Sequence, residues 1–209
     1  KEKFGIEYDF VLESVIGAIV FGIIGARIYY ILFNFQRYMQ NPEKIFYLRD
    51  GGIAIYGAII AIAIYFLIIC KIRKVSFLNL TDFLVPYLAL GQSIGRWGNF
   101  FNQEAYGIQT DSLFRMGLNT ESGYIEVHPV FLYESIATFI IFIILRKLQK
   151  NRKFEGQILY MYFILYGFIR MILEGIRTDS LWIGSFRISQ ILSLVFFVVF
   201  LVIYIKKKK

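Results

Sequence analysis

The chain has 209 residues, 57% of them hydrophobic, only three prolines and a mean hydropathy of +0.59. These values exclude an ordinary soluble domain and place the chain among polytopic membrane proteins. Its net charge of +8 does not point to nucleic acid, because the basic residues stand in short loops between apolar runs, which is the pattern of membrane topology.

Residues 1–10 are polar and mixed in charge. A first span is predicted over 11–33, with Gly17, Gly22 and Gly25 along it and Arg27 near its far end. Residues 34–52 form a polar connection bearing Arg37, Lys44 and Arg49. A second span covers 53–70 and closes on Lys71, Arg73 and Lys74. A third begins near 78, carries Asp82 and runs into a glycine-rich motif at Gly95. Residues 105–127 are the longest polar segment and are predicted to form a small extracytoplasmic cap. His128 and Pro129 open a fourth span that ends at Arg146; proline suits a first helical position, where its missing N–H is not needed. Fifth and sixth spans are predicted over 156–175 and 188–205, the last closed by a run of lysines. Each is near the ~20 residues a helix needs to cross a bilayer. No linker or internal repeat divides the chain, so 1–209 reads as a single integral membrane domain, an all-α bundle of six spans.

The charges set an orientation. Fourteen Lys/Arg lie on one side (1–3, 71–74, 146–153 and 206–209) and seven on the other. By the positive-inside rule the first side is cytoplasmic, and both ends of the chain lie there. The motif at Gly95, the cap, His128 and Arg177 then share the outer face. The lone Cys70 forms no internal disulfide and reads as a small packing residue.

Residues 95–107 read GRWGNFFNQEAYG. An arginine at membrane depth costs about 2.5–3.5 kcal/mol on insertion scales, so Arg96 is expected to face a protein interior and to have a function. Gly91, Gly95 and Gly98 are spaced to let a ligand or another backbone come close; a packing seam with a snorkelling arginine is the alternative. Tyr166, Arg170, Glu174 and Arg177 follow at spacings of four, four and three, one stripe of a helix. Arg170 and Glu174 either satisfy each other or, with Arg96, serve an anionic partner; arginine's fork of donors suits phosphate. In HPVFLYE, His128 reads as a proton carrier or a structural hydrogen-bonder, and Glu134 as a carboxylate paired with a neighbouring donor. Arg27 and Asp82 are expected to be structural, either paired or snorkelling. One His and one Cys on opposite sides give no metal-ligand set. The chemistry suggested is electrostatic handling of a phosphate ester at the outer leaflet.

These stretches resemble the bacterial prolipoprotein diacylglyceryl transferases. GRWGNFFNQEAYG matches that family's signature at every fixed position, and the likeness continues in IGARIYYILF, DGGIAIYGA, HPVFLYE and YGFIRMILEGIR. The resemblance implies transfer of the diacylglyceryl group of phosphatidylglycerol to the lipobox cysteine of a prolipoprotein, in the bacterial cell membrane, without metal or cofactor. It makes Arg96 and Arg170 the essential pair. It assigns Asn99, Glu104, Gly107 and Tyr166 to the site, where Asn102, His128, Glu174 and Arg177 are expected to bind substrate. Many members carry a histidine where this chain has Tyr56, before Gly57 and Ala58, so Tyr56 is expected to orient the lipid. The family has seven spans, so a further one is expected upstream of Lys1. The alternatives are a small anion transporter, against which the one-sided polar residues and lack of a repeat speak, and a catalytically impaired homologue that binds precursors.

Overall fold

A computed structural model describes residues 4–47, 51–120, 123–180, 182–184 and 186–208. Lys1, Lys3, Arg49, Asp50 and Lys209, which enter the topology and motif readings above, lie outside the described residues. The chain divides into two compact units, Lys1–Leu80 and Thr81–Lys209.

The first unit contains α1 (Tyr8–Phe33), α2 (Phe35–Gln40), a 3-10 turn (Pro42–Phe46) and α3 (Ile55–Arg73). Helices α1 and α3 pack against each other because their glycines remove side chains from the seam. A methyl group at Gly25 would fall on Ala61 and 2.6 Å from the Gly57 carbonyl oxygen. Without a hydrophobic drive between helices in lipid, such close backbone approach supplies the packing. Arg27 is buried, but it does not snorkel. Its guanidinium donates to the carbonyls of Ile45 (2.9 Å), Gly51 (2.9 Å), Gly52 (2.8 Å) and Lys44, and it lies over the Tyr38 ring. It thus satisfies the backbone of the connection that leads into α3, the structural role expected of it. Lys74 ends α3 in the left-handed region, its N–H returning to Cys70 and Lys71.

The second unit holds nearly all of α4 (Phe77–Phe101), then β1 (Met116–Thr120), β2 (Gly123–Val127), α5 (Val130–Lys150), α6 (Gln157–Glu174), β3 (Trp182–Ile183), β4 (Phe186–Arg187) and α7 (Ile188–Lys208). Val85 and Ala89 of α4, Ile141 and Leu145 of α5, and Ile158 and Tyr162 of α6 form its core. Polar pairs fix the register of this apolar contact. Ser93 and Ser135 each donate a hydroxyl to the other's carbonyl, both at 2.8 Å, joining α4 to α5. Pro86 sits inside α4, where it leaves the Asp82 carbonyl without its usual helical donor. Gln149 of α5 replaces that donor, reaching the carbonyls of Asp82 (2.7 Å) and Phe83 (3.1 Å). The Asp82 carboxylate, fully buried, accepts the N–H groups of Gly156, Ile158 and Leu159 at 2.8–3.0 Å and pairs with Arg152 at 2.8 Å. It caps α6 from another helix, satisfying amides that have no intrahelical partner. Helix α7 packs on α6 where Gly167 meets Ser193 and Phe197, and where the Phe163 and Phe200 rings stack at 4.3 Å.

A helix stands at each of the six predicted span positions. Four of them, α1, α3, α6 and α7, are long and apolar enough to cross a membrane. Helices α4 and α5 are long too, but their polar groups, Asp82, Arg96, Glu134 and Gln149 among them, dilute their apolar character. The all-α reading omitted two antiparallel pairs. In one, β1 and β2 pair from Met116↔Val127 to Thr120↔Gly123, with Leu118 and Val127 buried beneath. The other, β3–β4, leads directly into α7.

Candidate active site

The arrangement centres on Glu134, which α5 carries one turn in from its start and which is 1% exposed. Its Oε1 accepts Arg96 Nη2 from α4 at 2.7 Å and the Tyr166 hydroxyl from α6 at 3.1 Å; its Oε2 accepts Arg170 Nη1 from α6 at 3.2 Å. One helical turn beyond Arg170, Glu174 accepts Arg170 Nη2 at 2.7 Å. Arg96 and Arg170 therefore share one carboxylate. Their side chains remain 25% and 16% exposed while Glu134 is covered. The two arginines thus keep part of their side-chain surface accessible where Glu134 does not.

The signature stretch extends the network. Asn99, one turn after Arg96, accepts Arg96 Nη1 at 3.2 Å and donates to Glu104 at 3.1 Å; Asn102 donates to the same Glu104 oxygen at 3.1 Å. Glu104 can fold back onto Asn99 because the chain reverses sharply after α4. Its N–H bonds the Asn99 carbonyl at 3.0 Å, and the flanking Gln103 and Ala105 have φ of 52° and 56°. Left-handed backbone is uncommon for residues other than glycine and tends to gather at functional sites. Gly107 meets a constraint of space. Its N–H bonds the His128 carbonyl at 3.0 Å, and a Cβ would stand 2.7 Å from His128 Cβ and 3.1 Å from the Ile176 carbonyl oxygen.

The sequence stripe on α6 divides. Tyr166, Arg170 and Glu174 join the cluster, whereas Arg177 makes a two-pronged pair with Asp179 at 2.9 and 2.6 Å. That contact holds the Asp179 carboxyl below the usual aspartate range. The His128 ring meets Tyr133 at 3.2 Å, and Tyr133 donates onward to the Phe114 carbonyl at 3.2 Å. Among the described residues its ring partner is thus Tyr133, not a member of the arginine cluster. Tyr56 belongs to the first unit, exposed on the first turn of α3 with its ring 6.5 Å from that of Tyr29. Among the described residues of the second unit nothing stands within 4 Å of a Cβ built at Gly91, Gly95 or Gly98.

Residues 1–206 match the family model for prolipoprotein diacylglyceryl transferase. The chain belongs to this family. It is 46% identical over 200 residues to the phosphatidylglycerol–prolipoprotein diacylglyceryl transferase of Finegoldia magna, covering 95% of this chain and 79% of that one. It is 44% identical over 194 residues to the enzyme of the same name from Clostridioides difficile, covering 93% and 77%, and 40% identical over 209 residues to that of Clostridium novyi, covering 97% and 81%.

Against the family signature, the sequence reading understated Glu134, which it paired with an unnamed donor; nothing in a one-dimensional pattern says that two arginines from other helices converge on it. It also missed Tyr162 and Gln92, hydrogen-bonded to each other at 2.8 Å, with the Tyr162 ring stacked 5.5 Å from Tyr166. The i,i+4 spacing of Tyr162 and Tyr166 was the available signal. Arg187 donates to the Glu174 carbonyl and lies over Trp182. A recess beside β2, lined by residues such as Asp111, Tyr124 and Glu126, is separate from this cluster, and its Glu126 is engaged by Arg115 at 2.6 Å.

Proposed function

We propose that this chain transfers the diacylglyceryl group of phosphatidylglycerol to the lipobox cysteine of prolipoproteins, forming a thioether and releasing glycerol phosphate. Family membership supports the reaction class. The observation that carries the site assignment is the convergence of Arg96 and Arg170 on one buried carboxylate while their own side chains stay partly exposed.

In this reading the cysteine sulfur attacks the glyceryl carbon next to the phosphate. An S–C bond forms, the C–O bond breaks, the electron pair leaves on the phosphate oxygen, and the proton that the thiol gives up passes to water. A free thiol has a pKa near 8.5 and is mostly protonated at neutral pH. The positive edge of Arg96 and Arg170 favours the thiolate as it arrives and the phosphate charge as it grows, so the same donors serve both reactants. Asn99, Asn102 and Glu104 fix Arg96 from one side, and Tyr166 and Glu174 fix the other partners. Gly107, His128 and Arg177 shape the adjoining outer segment, and Tyr56 orients the lipid.

On the same reading the six long helices cross the bacterial cell membrane as one domain, with 105–127 as its extracytoplasmic cap. The basic segments 71–74 and 146–153 lie at the cytoplasmic face and the site opens outward. The test is transfer of labelled diacylglyceryl from phosphatidylglycerol in vesicles to a lipobox peptide. Glu104→Gln should lower turnover by about tenfold or more, as expected for a hydrogen bond to a charged group. Absence of labelled thioether with the wild-type chain defeats the proposed reaction; unchanged turnover in Glu104→Gln removes Glu104 from the site.

A further inference from the structure

We propose that Glu134 is a positioning residue, an internal counter-anion that holds Arg96 and Arg170 in register from behind while their outer donors receive the lipid phosphate. This rests on reading the arginine cluster as the phosphate site.

Three observations carry the proposal. First, the contacts are shared: each Glu134 oxygen takes one guanidinium, and those guanidiniums come from different helices. Two like charges this close repel, and a carboxylate between them turns the repulsion into two attractions. Second, exposure is asymmetric. Glu134 is 1% exposed against 25% and 16% for the arginine side chains, so a phosphate arriving at the surface need not displace it. A guanidinium also has more N–H donors than these contacts use. Third, Glu134 is itself fixed at several points. Tyr166 donates to its carboxylate at 3.1 Å, Thr138 donates to its backbone carbonyl at 2.7 Å, and the adjacent Ser135 is locked to Ser93 of α4. The carboxylate is therefore held by the same seam that sets α4 against α5, so the spacing of the arginines is set by packing before substrate arrives. Glu174 offsets the second positive charge: Arg96, Arg170, Glu134 and Glu174 make two positive and two negative groups, with the exposed Glu104 reached from Arg96 through Asn99. Of the four, the arginine side chains keep the larger exposed share.

The conservative variant Glu134→Gln keeps the shape and removes the charge. It is expected to lower kcat by about a hundredfold, because a small misplacement of catalytic groups costs that much. The KM for phosphatidylglycerol should stay within a few-fold, and Glu134→Asp should recover part of kcat. A purely structural staple would instead lose activity only in proportion to folded protein, measured by monodispersity and thermal midpoint. That result, or an unchanged kcat, overturns the proposal. A second readout does not depend on transfer. Side-chain NMR of arginine-labelled protein in micelles, assigned with Arg96→Lys and Arg170→Lys, should show restricted guanidinium rotation at both residues in the wild type and its loss in Glu134→Gln. Identical guanidinium signals in the two proteins overturn the positioning role. A wild-type chain that lacks transfer activity yet shows the expected NMR change retains the positioning role and defeats only the assigned reaction.

Discussion

Arg96 on α4 and Arg170 on α6 reach the two oxygens of a single buried carboxylate, Oε1 and Oε2 of Glu134, at 2.7 and 3.2 Å. Neither arginine is placed by its own helix alone, so substitutions at the two are expected to be non-additive. Arg96→Ala and Arg170→Ala should each lower kcat/KM by roughly 10²–10³, the usual effect of removing a donor aimed at developing charge. The double variant should fall little further, as residues that act as a unit do. Arg→Lys should not restore activity at either position, because lysine lacks the planar fork. Independent, multiplicative losses would show that the two arginines serve separate anions.

The tyrosines should separate. Tyr166 donates to Glu134, and a hydrogen bond to a charged group is worth about 1.5–3 kcal/mol. Tyr166→Phe should therefore lower turnover by about tenfold or more. Tyr56→Phe should keep most of the activity, since a neutral phenol is a poor proton acceptor and orientation of the lipid does not require its proton. A collapse in Tyr56→Phe, with folding and lipid binding intact, would assign proton transfer to that phenol.

Asp82 should govern stability and leave the chemistry alone. It accepts three α6 amides and Arg152 while fully buried. Breaking a buried charged pair costs about 3–5 kcal/mol, so Asp82→Asn should sharply lower the yield of monodisperse protein and its thermal midpoint. Turnover per folded molecule should stay near that of the wild type. A large loss of turnover in well-folded Asp82→Asn protein would contradict this division of roles.

The Arg177–Asp179 pair predicts an acid limb of stability. The Arg177 hydrogen bond holds the Asp179 carboxyl below its ordinary value of 3.8. A depressed carboxylate stabilises the fold fully above the unfolded value and loses that contribution as pH falls through the folded value. Thermal midpoints of the wild type and Asp179→Asn should therefore differ at neutral pH and converge as pH falls below about 4, near the unperturbed aspartate pKa. A gap that persists unchanged to lower pH would remove the pair as its source.

The helices were legible because apolar runs near bilayer length must satisfy their backbone internally. Arg170 and Glu174 were legible as partners because their spacing places them on one helix face. Glu134 as the meeting point was not, since its two arginines lie 38 residues upstream and 36 downstream and only tertiary packing joins them. The β1–β2 hairpin was hidden in a polar segment whose short strands bury little beyond Leu118 and Val127. Arg27 looked like any charge in a span, because its partners are backbone carbonyls that carry no side-chain signature.

The repair of α4 at Pro86 bears on biogenesis. The carbonyls of Asp82 and Phe83 are met by Gln149, and the Asp82 carboxylate by amides as far along the chain as Leu159, 77 residues later. Each unmet polar group in hydrocarbon costs several kcal/mol. On the six-span reading proposed above, α4 is therefore not a self-sufficient insertion unit as the chain is synthesised. That reading expects α4 to be sheltered until α5 and the start of α6 have emerged, so that these three helices enter the lipid together.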